Sequence, residues 1–479
     1  MRQYENEVQK IKNEVLTLLA KSAFNQTLLE DVHKIPKIVN PGPDGRFRCC
    51  VHHERAITSE RIEMAFGGNQ NEHEIVEVLP SACDQCLVDR FVVTEACRGC
   101  LAHRCVKACP VNAIQMQHGK AFINQKKCIE CGKCKAACPY SAIADVMRPC
   151  LRGCPTDAIS VDETKRAIID YDVCISCGAC VYNCPFGAIQ EKSEILKVIE
   201  KLQDDSVDVY AMLAPAFSTQ FQYVPLENVI EGIKLLGFRD VVEVALGADL
   251  VIKHEVDEIG GHLEMHPAMT SSCCPGFVNL LEQKFPDMLE MVSGTVSPMI
   301  ATSRLIKSID PSSVVVFIGP CIAKKHEKKR YDDVEFVLTF EELAALMDAK
   351  ELDLETLNGA PLNNASYYGR QFAATGGVSK AVKHHYKNKT NQSIETISCD
   401  GAKECEKILT QLKYKKLNQV FIEGMACQGG CIKGPVTMHH GPKDLKSVEL
   451  YSKKALEDDA IESTAIFNKI TIDLNRKRR

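Results

Sequence analysis

The apolar positions change rhythm along the chain. Val8, Ile11, Val15, Leu18 and Leu19 recur at helical spacing and predict one amphipathic helix near the start. Pro41-Gly42-Pro43-Asp44-Gly45 then breaks that pattern. Apolar runs return after residue 190. Val207 to Leu213 and Val314 to Ile318 read as buried strands, and Val420 to Ile422 as a shorter one. Helical stretches at 226–236, 276–284 and 340–349 separate them. That alternation predicts an α/β domain of roughly 200–250 residues, with mainly parallel sheets flanked by helices.

A chain of 479 residues exceeds one hydrophobic core, so about two to four domains are expected. Its hydrophobic content of 45% and charged content of 25% place it among soluble globular proteins. A net charge of −5 argues against a nucleic-acid partner. The basic tail Arg476-Lys477-Arg478-Arg479 reads as a solvated end. The charged start lacks the form of a secretory signal, and no run approaches the ~18 apolar residues that span a bilayer. A cytoplasmic location without membrane insertion is therefore expected.

The 25 cysteines change the picture most. Reducing compartments do not favour disulfides, which leaves metal ligation as the reason for so many thiols. Cys128, Cys131, Cys134 and Cys138 form a complete C-x2-C-x2-C-x3-C-P run, as do Cys174, Cys177, Cys180 and Cys184. This is the pattern of bacterial ferredoxins, whereas zinc sites pair two C-x2-C knuckles. Cys97, Cys100, Cys105 and Cys109 form a variant run. By the crossover rule for two-cluster ferredoxins, Cys97, Cys100, Cys105 and Cys138 hold one 4Fe–4S cube; Cys128, Cys131, Cys134 and Cys109 hold another.

The 174 run lacks a partner unless one is assembled from fragments. Cys150-x3-Cys154-Pro155 has the form of a third and fourth ligand, and Cys83-x2-Cys86 offers the missing pair. Residues 87–149 are then one ferredoxin inserted into the loop of another. The outer module would hold one cube with Cys83, Cys86, Cys150 and Cys184, and one with Cys174, Cys177, Cys180 and Cys154. Cys49 or Cys50 in place of Cys150 is the competing arrangement. The clusters are expected to help stabilise modules this small.

Three further cysteine sites fall beyond strand or loop endings: Cys273-Cys274, Cys321, and Cys427-x3-Cys431. Such loops are where α/β domains place ligands. Their residues carry a specific resemblance. Thr270-Ser-Ser-Cys273-Cys274-Pro275-Gly276-Phe277, Gly319-Pro320-Cys321-Ile-Ala-Lys324-Lys-His-Glu327 and Glu423-Gly-Met425-Ala-Cys427-Gln-Gly-Gly-Cys431 resemble, in order, the three active-site signatures of FeFe-hydrogenases. The resemblance covers roughly residues 81 to 440.

It implies a domain organisation: a helical or irregular region over 1–80, four 4Fe–4S clusters over 81–190, a two-lobed α/β catalytic domain over 205–445, and a helix or tail over 446–479. It also implies an H-cluster, a 4Fe–4S cube joined to a two-iron unit carrying CO, cyanide and a bridging dithiolate. Cys274, Cys321, Cys427 and Cys431 match the ligands, with Cys431 as the bridge. Lys324 matches the cyanide-binding lysine, Met425 the methionine beside the two-iron unit, and Ala214-Pro215 the loop that contacts it. Cys273, Glu255, Glu258 and Ser293 match the proton route. Gly247-Ala-Asp249 resembles the segment that opens it. The implied activity is reversible H2 oxidation in anaerobic hydrogen metabolism, with a ferredoxin or flavodoxin as carrier and maturation proteins for the two-iron unit.

Several positions depart from the best-known pattern. Phe277 replaces a tryptophan, Gly319 a methionine, Ala216 a serine and Met299 a glutamine, and Gly434-Pro435 shortens a glycine-rich segment. These changes resemble a divergent branch of the family. A noncatalytic iron–sulfur assembly protein, a slow hydrogen sensor and a plain electron carrier are the rival readings, and the last leaves the three C-terminal signatures unexplained. Intact Cys273, Lys324, Met425 and Cys431 oppose the first, and nothing after residue 446 resembles a signalling domain. Cys399 and Cys405 read as structural thiols. The Lys324–Arg330 run is a candidate contact for an acidic ferredoxin, with Lys324 internal and the rest solvated.

Overall fold

Four antiparallel strand pairs organise the cysteine-rich segment of the computed structural model, which describes residues 3–48, 50–71, 74–86 and 89–477. Phe91–Val93 pairs with Ile143–Asp145, and Ile114–Gln117 with Lys120–Ile123. Val76–Val78 pairs with Ile189–Glu191, and Ile159–Val161 with Ala167–Ile169. The first two pairs lie between the strands of the third, so one ferredoxin-like unit is nested in another. Cys49, which figured in the competing ligand arrangement, and Arg478 and Arg479 of the basic tail lie outside the described residues.

One exit turn recurs four times. Cys109, Cys138, Cys154 and Cys184 each open a C-P-x-x-A-I stretch. The third residue after each cysteine (Asn112, Ser141, Asp157 or Gly187) has a positive φ. The following alanine then donates its N–H to the cysteine Sγ at 3.2–3.3 Å. Such N–H···S bonds are one way a protein sets cluster potential.

Beyond residue 200 the strands form two parallel sheets. Asp240–Glu243, Val209–Leu213, Val314–Gly319 and Phe336–Thr339 make one; Ala268–Thr270, Val420–Met425 and Glu395–Asp400 make the other. Their central strands are buried along nearly their whole length, as parallel strands covered on both faces must be. The expected helices occur at Leu226–Leu235, Pro275–Lys284 and Phe340–Ala349. The full extent of the 22-residue helix Val244–Met265 escapes the apolar pattern, because Asp249 and Glu255 are buried in it alongside its apolar residues.

The expected N-terminal helix spans Glu7–Phe24 and packs against Phe340–Ala349. Its buried Lys12 pairs with Glu191, from the outer ferredoxin-like unit, and with Glu341 of the partner helix at 2.5 Å. One ammonium thus ties three parts of the chain together.

Four cations of the Lys324–Arg330 run are held in ion pairs and withdrawn from solvent, and Lys329 is exposed. Lys324 pairs with Glu327 at 2.7 Å, Lys325 with Glu342 at 3.1 Å, Lys328 with Glu194, and Arg330 with Glu282 at 2.7 Å. Cations this enclosed persist because each meets a carboxylate. Among the described residues, no helix is long and apolar enough to cross a membrane.

Candidate metal centre

The relay cysteines gather into separate groups. Cys97, Cys100, Cys105 and Cys138 line one cavity; Cys154, Cys174, Cys177 and Cys180 line another. Burial first, then the neighbouring Cys184, Cys86 and Cys83, push the Cys150 thiol up to about 11. Cys128 and Cys131 act in the same sense on Cys134, which shares a small core with Cys109 and Cys128. Among the described residues, no three His, Cys, Asp or Glu side chains close on a single metal ion. The thiols instead surround voids, an arrangement that suits a cluster body. Cys50 is exposed at the start of helix Val51–Ala65, and the neighbouring His53 Nε2 lies 2.7 Å from the Ser81 carbonyl.

Helix Pro275–Lys284 binds the 174 loop to the second sheet. Asn279 donates to the Ile175 carbonyl at 3.0 Å, Gln283 to Asp172 at 2.7 Å, and Lys284 to Pro155 at 2.9 Å. Small residues let the two parts close. A Cβ on Gly276 would stand 2.9 Å from the Cβ of Ala426 and 3.9 Å from that of Cys177. Gly178, at φ +77°, leaves room for Pro435 and Ile322. The Cys177 loop therefore abuts the loops bearing Cys321, Cys427 and Cys431.

A further cavity lies at the carboxyl ends of both parallel sheets. Ala214 and Pro215 reach it after strand Val209–Leu213, Cys273 and Cys274 after Ala268–Thr270, Cys321 and Lys324 after Val314–Gly319, and Met425 and Cys431 from strand Val420–Met425 and its loop. Cys427 is adjacent: burial, then Cys321, Cys274, Cys431 and Cys177, push its thiol well above the ordinary value. The Cys321 thiol is pushed up to about 11, by burial and then by Cys274.

This donor set fits an iron–sulfur group. Four enclosed thiols resist ionisation on their own, and a metal cluster supplies the positive charge that removes their protons. Lys324 adds a buried cation; burial opposes its charge, but Glu327 offsets this and holds its pKa above the ordinary value. Its Nζ also approaches the Cys273 carbonyl at 3.4 Å.

The residues expected to carry protons lie near one another, leading outward from Cys273. Burial, Glu255 and Cys274 keep Cys273 a neutral thiol. Glu255 is fully buried, and burial raises its pKa to about 8 although the Ser293 hydroxyl and the Ser272 backbone act to lower it. Ser293 Oγ donates to Glu258 at 3.2 Å, and Gly294 N–H fixes that carboxylate at 2.8 Å. Glu258 is 22% exposed, and His262 Nδ1 stands 3.9 Å from it, one turn onward. Asp249 lies apart from these residues: Ser366 and Ser463 hydroxyls donate to it at 2.5 and 2.8 Å.

Some departures from the family pattern acquire physical reasons. A Cβ on Gly319 would meet the Phe317 ring at 2.6 Å, so Phe317 fills the space that a side chain there would use. Phe277 lies over Gly424, where a Cβ would come within 2.4 Å of its ring. Glu327, His262 and Glu423 were missed as site neighbours; Glu423 accepts from Gly376 N–H, Ser379 N–H and Ser398 Oγ beneath the strand carrying Met425. Only the i,i+3 spacing of Lys324 and Glu327 and the i,i+4 spacing of Glu258 and His262 hinted at their partners. Cys399 and Cys405 are buried in the core behind this strand, with Cys405 Sγ 3.4 Å from the Met425 carbonyl.

Comparison with known proteins agrees with this geometry. Residues 207–435 match the C-terminal domain of the iron-only hydrogenase large subunit; 91–139 match a 4Fe-4S dicluster domain, and 144–195 the LdpA Fe-S cluster-binding domain. Iron hydrogenase 1 of Clostridium pasteurianum is 30% identical over 70% of this chain and 67% of its own length. The NADP-reducing hydrogenase subunit HndD of Solidesulfovibrio fructosivorans is 28% identical over 78% of this chain and 73% of its own. A shorter likeness, 30% identity over 28% of the chain and 32% of the relative, reaches the cytosolic Fe-S cluster assembly factor NAR1 of Eremothecium gossypii. A solved FeFe-hydrogenase, studied for oxygen inactivation of its H cluster, matches at a TM-score of 0.51 and 19% identity over 59% of this chain and 96% of its own, which shows the shared fold. By sequence and by fold, this chain belongs to the iron-only (FeFe) hydrogenase family.

Proposed function

We propose that the chain interconverts H2 with two protons and two electrons at an H-cluster, and that four 4Fe–4S cubes carry the electrons to an external ferredoxin or flavodoxin. The observation that carries this reading is the convergence of Cys274, Cys321, Cys431, Lys324 and Met425 on one cavity, with Cys427 beside them. Cys274, Cys321, Cys427 and Cys431 would hold the cube, with Cys431 as the bridge; Ala214, Pro215, Lys324 and Met425 would line the two-iron unit. The bound cluster supplies the metal chemistry that makes and splits the H–H bond.

The chain's own residues bind, shield and move protons. Lys324, steadied by Glu327, offers a charge-assisted donor. The apolar lining, including Phe317, Met299 and Phe372, limits water. Cys273 carries the proton at Sγ and Glu255 at its carboxyl; Ser293 Oγ links it to Glu258 and solvent. Electrons would leave past Cys177 to the cube of Cys154, Cys174, Cys177 and Cys180, then to that of Cys83, Cys86, Cys150 and Cys184. The nested unit would continue the relay with two more, one held by Cys109, Cys128, Cys131 and Cys134, the other by Cys97, Cys100, Cys105 and Cys138.

The test is infrared spectroscopy of anaerobically matured protein. CO and cyanide bands are expected. Their absence after competent maturation would refute the hydrogenase reading and favour a noncatalytic cluster protein, the alternative that the likeness to NAR1 supports.

A further inference from the structure

With Lys324, Lys325, Lys328 and Arg330 held in ion pairs, the Lys324–Arg330 run offers a carrier little charge. Residues 91–143 hold eight Lys and Arg against two carboxylates, a net +6 within a chain of −5. Thiolate-bound cubes would add negative charge inside this unit, but its cations are mostly at the surface.

The nested unit has a neck and a far end. At the neck, Val146 N–H donates to the Arg90 carbonyl at 2.7 Å, and Arg90 pairs with Asp145 at 3.2 Å. The Phe91 ring lies 3.3 Å from where a Cβ on Gly132 would stand, which places the Cys131–Cys134 loop close to the neck. Phe91 pairs with Asp145 at this end of the ladder and Val93 with Ile143 at the other. Cys97 and Cys138 join the strands beyond that second end.

The cavity of Cys97, Cys100, Cys105 and Cys138 is also lined by Arg98, His103, Arg104 and Tyr140. Arg98, Arg104 and Lys107 are exposed, and none pairs with a carboxylate among the described residues. Leu101, in the same loop, is 95% exposed, and Tyr140 is 56% exposed. A cationic rim around exposed apolar side chains, at the wall of a cluster cavity, is the composition of a transient redox contact.

We propose that this far end is the docking surface for a small acidic one-electron carrier protein. The carrier exchanges electrons with the cube of Cys97, Cys100, Cys105 and Cys138; one electron leaves the carrier as the cube gains one, and no bond forms or breaks. The proposal rests on the relay described under Proposed function. Arg98, Arg104 and Lys107 steer the approach, while Leu101 and Tyr140 supply the water-excluding contact.

The test is stopped-flow reduction of the cluster-loaded full chain by a reduced, acidic two-cluster bacterial ferredoxin. The second-order rate should fall about tenfold or more from low to high salt, and by a similar factor in the Arg98→Glu/Arg104→Glu/Lys107→Glu variant. Reduced methyl viologen should reduce that variant no more slowly than wild type. Lys126→Glu/Lys127→Glu, beside the Cys128 loop, should stay within about twofold of wild type, and Arg98→Lys/Arg104→Lys should retain the fast rate. A salt-insensitive wild type, or equal slowing at both positions, overturns the proposal. Should the triple variant lose iron, Lys107→Glu and the wild-type salt series decide. The readout needs no hydrogen turnover. Missing CO and cyanide bands would therefore end the hydrogenase reading alone, and unchanged rates would end the docking surface alone.

Discussion

Replacing Glu255 with Gln keeps the shape of a buried side chain and removes its ability to ionise. In the native protein Glu255 has a pKa of about 8 because burial outweighs the lowering effect of the Ser293 hydroxyl and the Ser272 backbone; in the unfolded chain it titrates near the ordinary value of 4.5. Between those values the native state holds a proton that the unfolded state has released, so stability falls as pH rises. Integrating that difference from about pH 5.5 to about pH 8.5 gives a loss of about 3 kcal/mol from this one group. Glu255→Gln should lack this loss. Anaerobic thermal melts at matched scan rates would show the wild type falling relative to the variant by several degrees across that range. The Glu255 carboxylic-acid band, isolated as the infrared difference between wild type and Glu255→Gln because Asp249 also holds a proton up to about pH 7, should vanish over the same interval. The variant should also lose about a hundredfold or more of hydrogen turnover as the proton line is cut. Parallel melting curves for the two proteins, or a carboxyl band that disappears near pH 4.5, would refute the buried-acid argument.

Lys12→Met should destabilise the chain by about 3–5 kcal/mol, because Glu191 and Glu341 would remain buried without their cation; Glu191→Gln and Glu341→Gln added to it should recover part of the loss in a thermal melt. Gly319→Met should cost about 1–3 kcal/mol by driving a side chain into the Phe317 ring, and Phe317→Ala in the same protein should relieve the clash. Cys150→Ser should lower iron content by about four atoms per chain if Cys150 is a ligand of the outer module; unchanged iron would favour the arrangement through Cys49 or Cys50.

Much of the relay was legible in the chain because its information is local. Cys174, Cys177 and Cys180, three thiols within seven residues, line one cavity, and a C-P-x-x-A-I exit recurs after each fourth cysteine, so local spacing brings such groups together. The three active-site signatures were readable for a related reason: each sits just beyond a strand whose apolar run is itself a signal. Tertiary structure was needed wherever the outcome depended on distant partners. Lys324–Arg330 reads as a solvated basic patch until Glu194, Glu282, Glu327 and Glu342 close on it, three of them from other elements. Glu255 and Glu258 share one helix and one residue type, yet packing buries the first and leaves the second reaching solvent. Sequence by itself determined which thiols stand close together along the chain, because cysteine spacing is a property of a short stretch of backbone. Only the fold decided which charges are buried, which are paired and which face outward, because the dielectric around a side chain is set by atoms that arrive from elsewhere in the chain.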